Sequence, residues 1–278
     1  MLVLSLFPGI DLLGRGFEEE GFCVVRSPDP IFGGDIRNFT PPALRFDGVI
    51  GGSPCQDFSR ARRDPPTGYG LEMLGEFTRV ITQARPTWWL LENVERAPTI
   101  HIEGYHTQRL DLNALECGLP QRRLRHFQFG SPTDRPITIS PKRDSPANHK
   151  SEPTCTATEG KRANRRAWAK FCQLQGLPPD FDLPGWTMEA KYRAVGNGVP
   201  IPMARTIARA IALAIYAPRL QPKRLCICGR GRPLTGRADQ TSATPACRKR
   251  MEMRRKAAAG HRGITHAQEE DGSQPDTF

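Results

Sequence analysis

The residues best suited to covalent chemistry lie in Gly51-Gly52-Ser53-Pro54-Cys55-Gln56. The apolar run Phe46-Asp47-Gly48-Val49-Ile50 precedes them, so a buried strand is expected to end in a tight loop that presents Cys55. Pro54 fixes its own φ and holds Ser53 extended, which leaves the Cys55 backbone little freedom. A thiol held in this way suits a nucleophile, although a cysteine in such a run is equally a small buried hydrophobe. A second strand, Thr87-Trp88-Trp89-Leu90-Leu91, ends in Glu92-Asn93-Val94, which places a carboxylate at a strand tip as well. Downstream, Gln121-Arg122-Arg123-Leu124-Arg125 enters the alternating segment His126-Phe127-Gln128-Phe129, and alternation puts Arg123 and Arg125 on one face. Two guanidiniums there can anchor a phosphate or stabilise a thiolate, or form a solvated basic edge.

These groups need a scaffold that collects strand ends on one edge. Leu2 to Phe7 is an expected first strand, followed by the turn at Pro8-Gly9 and apolar residues Ile10, Leu13 and Phe17 at helical spacing. Strand, glycine turn and helix form the layout that cradles a nucleotide-like cofactor. Phe22 to Val25 is a second strand, with Asp29 just beyond it, where a carboxylate can accept from ribose hydroxyls or serve as an ordinary turn residue. Leu71, Leu74, Phe77, Val80 and Ile81 predict a helix before the strand ending in Glu92. The alternation of elements makes the fold class α/β, with chemistry at the carboxyl edge of the sheet.

The chain has 278 residues and a net charge of +11, which points to a polyanionic partner, nucleic acid foremost. Eight cysteines without regular spacing over most of the chain argue against a secreted disulfide scaffold, so a cytoplasmic setting is expected. Met1 to Phe7 lacks the basic start and small-residue cleavage site of a signal peptide, and no window is expected to cross a membrane. From about Gly130 to Gly160 Pro, Ser, Thr, Asp and Lys predominate, predicting irregular loops. Trp168, Phe171, Leu174 and Leu177 predict a short helix halted by Pro178-Pro179. After Tyr192 to Pro200, residues Ile201, Ala204, Ile207, Ala208, Ile211 and Ile215 line one side of a helix that should pack on the sheet. Beyond Pro218 a basic tail carries Cys226, Cys228 and Cys247, with His261 or His266 as a fourth ligand for zinc. A partly disordered nucleic-acid-binding tail without metal is the favoured expectation there.

In order and spacing these motifs resemble the DNA (cytosine-5)-methyltransferase family, in the form carried by bacteriophages or their bacterial hosts. The resemblance rests on Leu6-Phe7-Pro8-Gly9, Gly34-Asp35-Ile36, Ser53-Pro54-Cys55-Gln56, Glu92-Asn93-Val94, Gln121 to Arg125, Leu174-Gln175-Gly176 and Gly196-Asn197-Gly198-Val199-Pro200, across roughly the first 216 residues. It implies a Rossmann-like sheet that binds S-adenosylmethionine, duplex DNA as partner, and a cytosine flipped from the duplex. Cys55 would then attack C6 and Glu92 would hold the ring, with Arg123 and Arg125 contacting the base and its sugar-phosphate. Phe7 and Gly9 map to the methionine-side loop, Asp35 and Ile36 to adenine, Pro54 to the cofactor floor and Asn197 with Val199 to the closing motif, while Asp29 is the expected ribose acid. The implied organisation is a core over 1–129, a small target-recognition region over 130–184, a return segment over 185–217 and the basic tail over 218–278. A monomer is expected, and no restriction endonuclease partner can be inferred. Asp11-Leu12 replaces the family's usual glycine pair, Lys170 stands where a glutamate is usual, and the recognition region is short. The alternatives are an RNA cytosine methyltransferase, a DNA-binding relative without activity and, last, a thiol hydrolase.

Overall fold

The computed structural model describes residues 1–59, 62, 64–140, 151–216, 226–227, 234, 240–242 and 244–262. It divides into two units, Met1–Tyr216 and Ala217–Phe278.

In the first unit, six strands form one sheet: β1 (Leu2–Leu6), β2 (Cys23–Arg26), β3 (Gly48–Gly52), β4 (Trp88–Asn93), β5 (His106–Asn113) and β6 (Leu124–Ser131). Their order is β2-β1-β3-β4-β6-β5. The first four in this order are parallel, β6 runs antiparallel to β4, and β5 is antiparallel to β6. The chain leaves β1 for β2 on one side and returns to place β3 on the other, so the strand order reverses between β1 and β3. In open α/β sheets such a reversal opens a crevice beyond the strand carboxyl ends.

Side-chain alternation sends Val3, Ile50, Trp88, Leu90, Phe127 and Phe129 to one face, and Leu4, Leu6, Val49, Trp89 and Leu91 to the other. The first face is covered by α1 (Leu12–Glu18) and by the helix Ile201–Tyr216; the second by α2 (Tyr69–Ala84). Two further helices, α3 (Trp168–Leu174) and α4 (Met188–Asn197), pack Phe171, Leu174, Tyr192 and Val195 into a separate cluster with Leu12 and Ile201. The helix Ile201–Tyr216 is α5, and it meets α1 closely, since a Cβ added to Gly16 would lie 2.4 Å from that of Ala204. Each fully buried Ile on α5 contributes about 2 kcal/mol.

Several expectations shift in detail. Leu71 is exposed although its helix forms, because it lies on the face of α2 away from the sheet. α3 stops before the paired prolines, at Leu174, where Gly176 turns the chain with φ +77°. β5 has no counterpart in the sequence expectations. The stretch Met188–Tyr216 is long and apolar enough to cross a membrane by length and composition, contrary to the expectation that no window is. Its apolar side chains, among them Ile207 and Ile211, are spent in the sheet core instead.

In the second unit, α6 (Pro245–Arg262) is helical where a partly disordered tail is expected. Cys226 and Cys247 are buried together with Leu234 and Met251 packed against them, and the Thr244 hydroxyl donates to Cys247 Sγ at 3.2 Å. Cys228, His266 and the side chain of His261 lie outside the described residues. Among the described residues no three metal-ligating side chains come together.

Candidate active site

The crevice between β1 and β3 holds a cavity of about 280 Å³. Leu6 to Leu13, Asp29 to Ile31, Gly52 to Gln56, Glu92 to Val94 and Asn197 to Val199 line it, together with Tyr69 and Arg125. Expected site residues Phe7, Gly9, Asp29, Pro54, Cys55, Glu92, Arg125, Asn197 and Val199 therefore share one wall system. Asp35, Ile36 and Arg123 do not line it.

The cavity roof at β1 is a loop in unusual backbone conformation. Phe7, Gly9 and Asp11 have φ of 52°, 54° and 53°, a region that costs a residue with a side chain about 1–2 kcal/mol. Two carboxylates hold it. Asp29 accepts from the Gly9 amide through Oδ2 and from the Ile31 amide through Oδ1, both at 2.9 Å. Asp11 caps α1 by accepting from the Gly14 amide at 2.9 Å, accepts from Ser5 Oγ at 2.8 Å, and pairs with Arg26 Nε at 2.8 Å. Burial outweighs these partners and pushes the Asp11 carboxyl up. The position that departs from the glycine pattern thus supplies its own cap.

The reactive edge follows from register. Gly52 pairs with Glu92 across β3 and β4, so Cys55 leaves one strand tip beside the carboxylate on the next. A Cβ on Gly52 would sit 3.1 Å from Glu92 Oε2, so the missing side chain leaves room for that carboxylate. Asn93 fixes the thiol loop by donating from Nδ2 to Ser53 Oγ at 2.9 Å, while its Oδ1 accepts from the Val94 amide at 2.8 Å. The loop beyond Cys55 is pinned by Asp57, which accepts from the Gly70 amide at 2.8 Å and the Thr67 amide at 3.1 Å and pairs with Arg62 at 2.7 Å.

Arg125 Nε lies 2.9 Å from Glu92 Oε1. Burial raises the Glu92 carboxyl, with Arg125 and then Arg123 opposing. Burial, then the charge of Glu92, raises the Cys55 thiol, and the same two arginines oppose. Burial thus disfavours both anions, and the positive charge nearby opposes it, favouring the thiolate when it forms.

Three expected contacts are placed elsewhere. Asp35 caps the short turn Ile36–Asn38, and its oxygens are taken by the Arg37 amide and guanidinium at 2.9 and 3.0 Å. Ile36 is drawn into the core with Leu4, Leu6 and Phe77. Arg123 is fully buried and spends its Nη donors on the carbonyls of Cys155, Gly196 and Gly198 at 2.6, 2.9 and 2.8 Å. The sequence expectations give Asn93, Asp57 and Gln175 no part in shaping the site, although Asn93 stands in the Glu92-Asn93-Val94 motif and Gln175 in Leu174-Gln175-Gly176.

The family model for C-5 cytosine-specific DNA methylases matches residues 1–169. The type II methyltransferase M.HgiDI of Herpetosiphon aurantiacus is 33% identical over 161 residues, covering 47% of this chain and 52% of that protein. M.HindV of Haemophilus influenzae is 30% identical over 161 residues, covering 47% and 53%. The chain spans about half the length of these two curated relatives. M.HgiGI, also of Herpetosiphon aurantiacus, is 32% identical over 118 residues, covering 35% of this chain and 93% of that protein. Among solved structures, the Entamoeba histolytica methyltransferase EhMeth aligns with a TM-score of 0.59 at 12% identity, covering 76% of this chain and 98% of that one. A Spodoptera frugiperda DNMT2 mutant aligns with a TM-score of 0.55 at 14% identity, covering 76% and 99%. At such identities the likeness is one of fold.

Proposed function

Because the chain belongs to the C-5 cytosine-specific DNA methylase family, we propose that it transfers a methyl group from S-adenosylmethionine to C5 of a cytosine flipped out of duplex DNA, by way of a Cys55–C6 bond. The observation that carries this reading is the shared wall: Cys55, Glu92 and Arg125 meet at the carboxyl edge of β3 and β4, in the same cavity as Asp29 and the Phe7 to Asp11 loop.

The residues present suit such a cofactor. Leu6, Phe7, Pro54 and Val199 offer apolar wall, while the buried carboxylate of Asp29 keeps lone pairs free for hydroxyls after accepting two amides. When bound, S-adenosylmethionine supplies an electrophilic methyl group. Phe7, Gly9, Pro54, Asn197 and Val199 would hold it, and Asp29 would take the ribose.

Cytosine C5 is a weak nucleophile, and the protein's part is to change that. The Cys55 thiolate forms a bond to C6, the C5–C6 double bond opens, and its electron pair passes to C5. In its protonated form, which burial favours, Glu92 donates to N3 and accepts from the exocyclic amine, offsetting the charge that develops on the ring. Arg125 orients Glu92 through the 2.9 Å pair. After C5 is methylated, solvent water takes the C5 proton, that C–H pair re-forms the C5–C6 double bond, and the pair of the breaking Cys55–C6 bond returns to sulfur as the thiolate.

In this reading residues 130–184 form a small target-recognition region, flanked by the core over 1–129 and the return segment over 185–217. The exposed Arg248, Lys249, Arg254 and Arg255 of α6 add sequence-independent phosphate binding. Radiolabelled methyl transfer from S-adenosylmethionine to plasmid DNA, set against transfer RNA, tests the proposal. Incorporation into DNA supports it; incorporation into RNA alone moves the substrate to RNA.

A further inference from the structure

Arg123 sits in a motif whose resemblance assigns it to the flipped base, yet it lies behind the cavity wall and touches three main-chain carbonyls. Two of these, Gly196 and Gly198, flank Asn197, which lines the cavity. Gln175 grips the same loop from another side, donating from Nε2 to Val195 O at 2.6 Å and to Gly198 O at 3.1 Å. Gln121 joins the two, donating to Gln175 Oε1 at 2.8 Å and to the Leu174 carbonyl, and accepting from the Cys155 amide at 3.1 Å. The Gln175 carbonyl in turn accepts from the Ile201 amide at 3.0 Å at the start of α5. Gln121, Arg123 and Gln175 are each 0% exposed.

The end of α4 needs such a hold. Helix C-termini leave carbonyls without intrahelical partners, and a buried one left bare is costly. Here Arg123 and Gln175 side chains satisfy those of Gly196 and Gly198, and Gln175 adds a second donor to the Val195 carbonyl that the Gly198 amide already reaches. Arginine suits the task because its planar fork reaches several carbonyls at once with fixed geometry, which a lysine ammonium does not reproduce.

We infer that Arg123, with Gln175 and Gln121, is a positioning residue that sets the Val195–Gly198 segment, whose Asn197 and Gly198 line the cofactor cavity, and that it governs cofactor affinity rather than base contact. The inference rests on the proposed cofactor reading of that cavity.

The test compares full-length wild type, Arg123→Lys, Gln175→Glu and Arg125→Gln. Calorimetric Kd for S-adenosylhomocysteine is measured beside KM and kcat for S-adenosylmethionine, with plasmid DNA saturating. Arg123→Lys and Gln175→Glu should each raise Kd and the cofactor KM by about tenfold, with kcat at saturating cofactor within about threefold. Arg125→Gln should lower kcat and leave Kd near wild type. A fall in kcat for Arg123→Lys at unchanged Kd would overturn the inference and return Arg123 to the base. If the two wall variants do not fold, hydrogen exchange on the wild type decides. Slowing by S-adenosylhomocysteine at 121–124 and 174–176 together with 195–199 supports the inference, and slowing confined to 195–199 overturns it. A wild type that does not bind S-adenosylhomocysteine overturns the cofactor reading and the inference with it; normal wild-type binding that the wall variants leave unchanged overturns the inference alone.

Discussion

Asp29→Asn removes one acceptor from the carboxylate that holds the cofactor loop. Its two oxygens each accept a main-chain amide at 2.9 Å, from Gly9 and from Ile31. An asparagine keeps one acceptor and turns an NH₂ group toward the other amide, so one charge-assisted bond is lost and the second becomes neutral. A hydrogen bond to a charged group contributes about 1.5–3 kcal/mol. The loss falls on a loop already held against its backbone preference at Phe7 and Asp11, both side-chain-bearing residues with positive φ. If the loop must be rebuilt on binding, that energy is taken from cofactor affinity, a weakening of roughly tenfold to 100-fold. Calorimetric titration with S-adenosylhomocysteine measures it, with urea unfolding of the same samples to separate affinity from folding. A folded Asp29→Asn protein whose Kd stays within about twofold of wild type would refute the reasoning.

Glu92→Gln keeps a donor and an acceptor for the base but cannot give up a proton, so kcat should fall by about 10²- to 10⁴-fold with little change in KM for DNA. The productive form pairs a thiolate with a protonated carboxyl, and burial raises both groups. Wild-type kcat should therefore climb with pH until the first of the two groups ionises, hold level, and fall once the second has also ionised; a Glu92→Gln profile that falls at high pH contradicts this assignment. Glu159 is buried and hydrogen-bonded to Arg166 Nε at 2.6 Å. Burial opposes its ionisation, but the Arg166 guanidinium and amide outweigh burial and hold the carboxyl below its usual value. Its stabilisation is thus present above the ordinary glutamate range and lost as pH falls through the depressed value. Glu159→Gln should cost about 3 kcal/mol in urea unfolding at pH 7, and a cost that persists undiminished in acid would count against the pairing.

The parallel half of the sheet was readable because its strands are apolar runs closed by glycine or by a charged tip, as at Ile50-Gly51-Gly52 and Leu91-Glu92. β5 was not. His106 to Asn113 has exposed and half-buried positions along an edge and gains its strand from pairing with β6, which no local pattern in a polar segment announces. The meeting of Cys55 with Glu92 followed from two strand tips on one edge, and the β3–β4 register delivers it. The parting of Arg123 from Arg125 did not follow. Alternation puts both on one face, but only the packing of Cys155 and the Gly196 to Gly198 loop over Arg123 takes it behind the wall. Asp35 and Ile36 illustrate the same limit, since Arg37 and the apolar core compete for them more strongly than the cavity does.

The central claim is cytosine methylation through Cys55. Base-resolution 5-methylcytosine sequencing of plasmid DNA from methylation-deficient cells expressing the wild type or Cys55→Ala tests it most directly. The account predicts methylated cytosines with the wild type and none with Cys55→Ala. Methylation that persists in Cys55→Ala, or wild-type protein that is folded and binds S-adenosylhomocysteine yet leaves the DNA unmethylated, would contradict it.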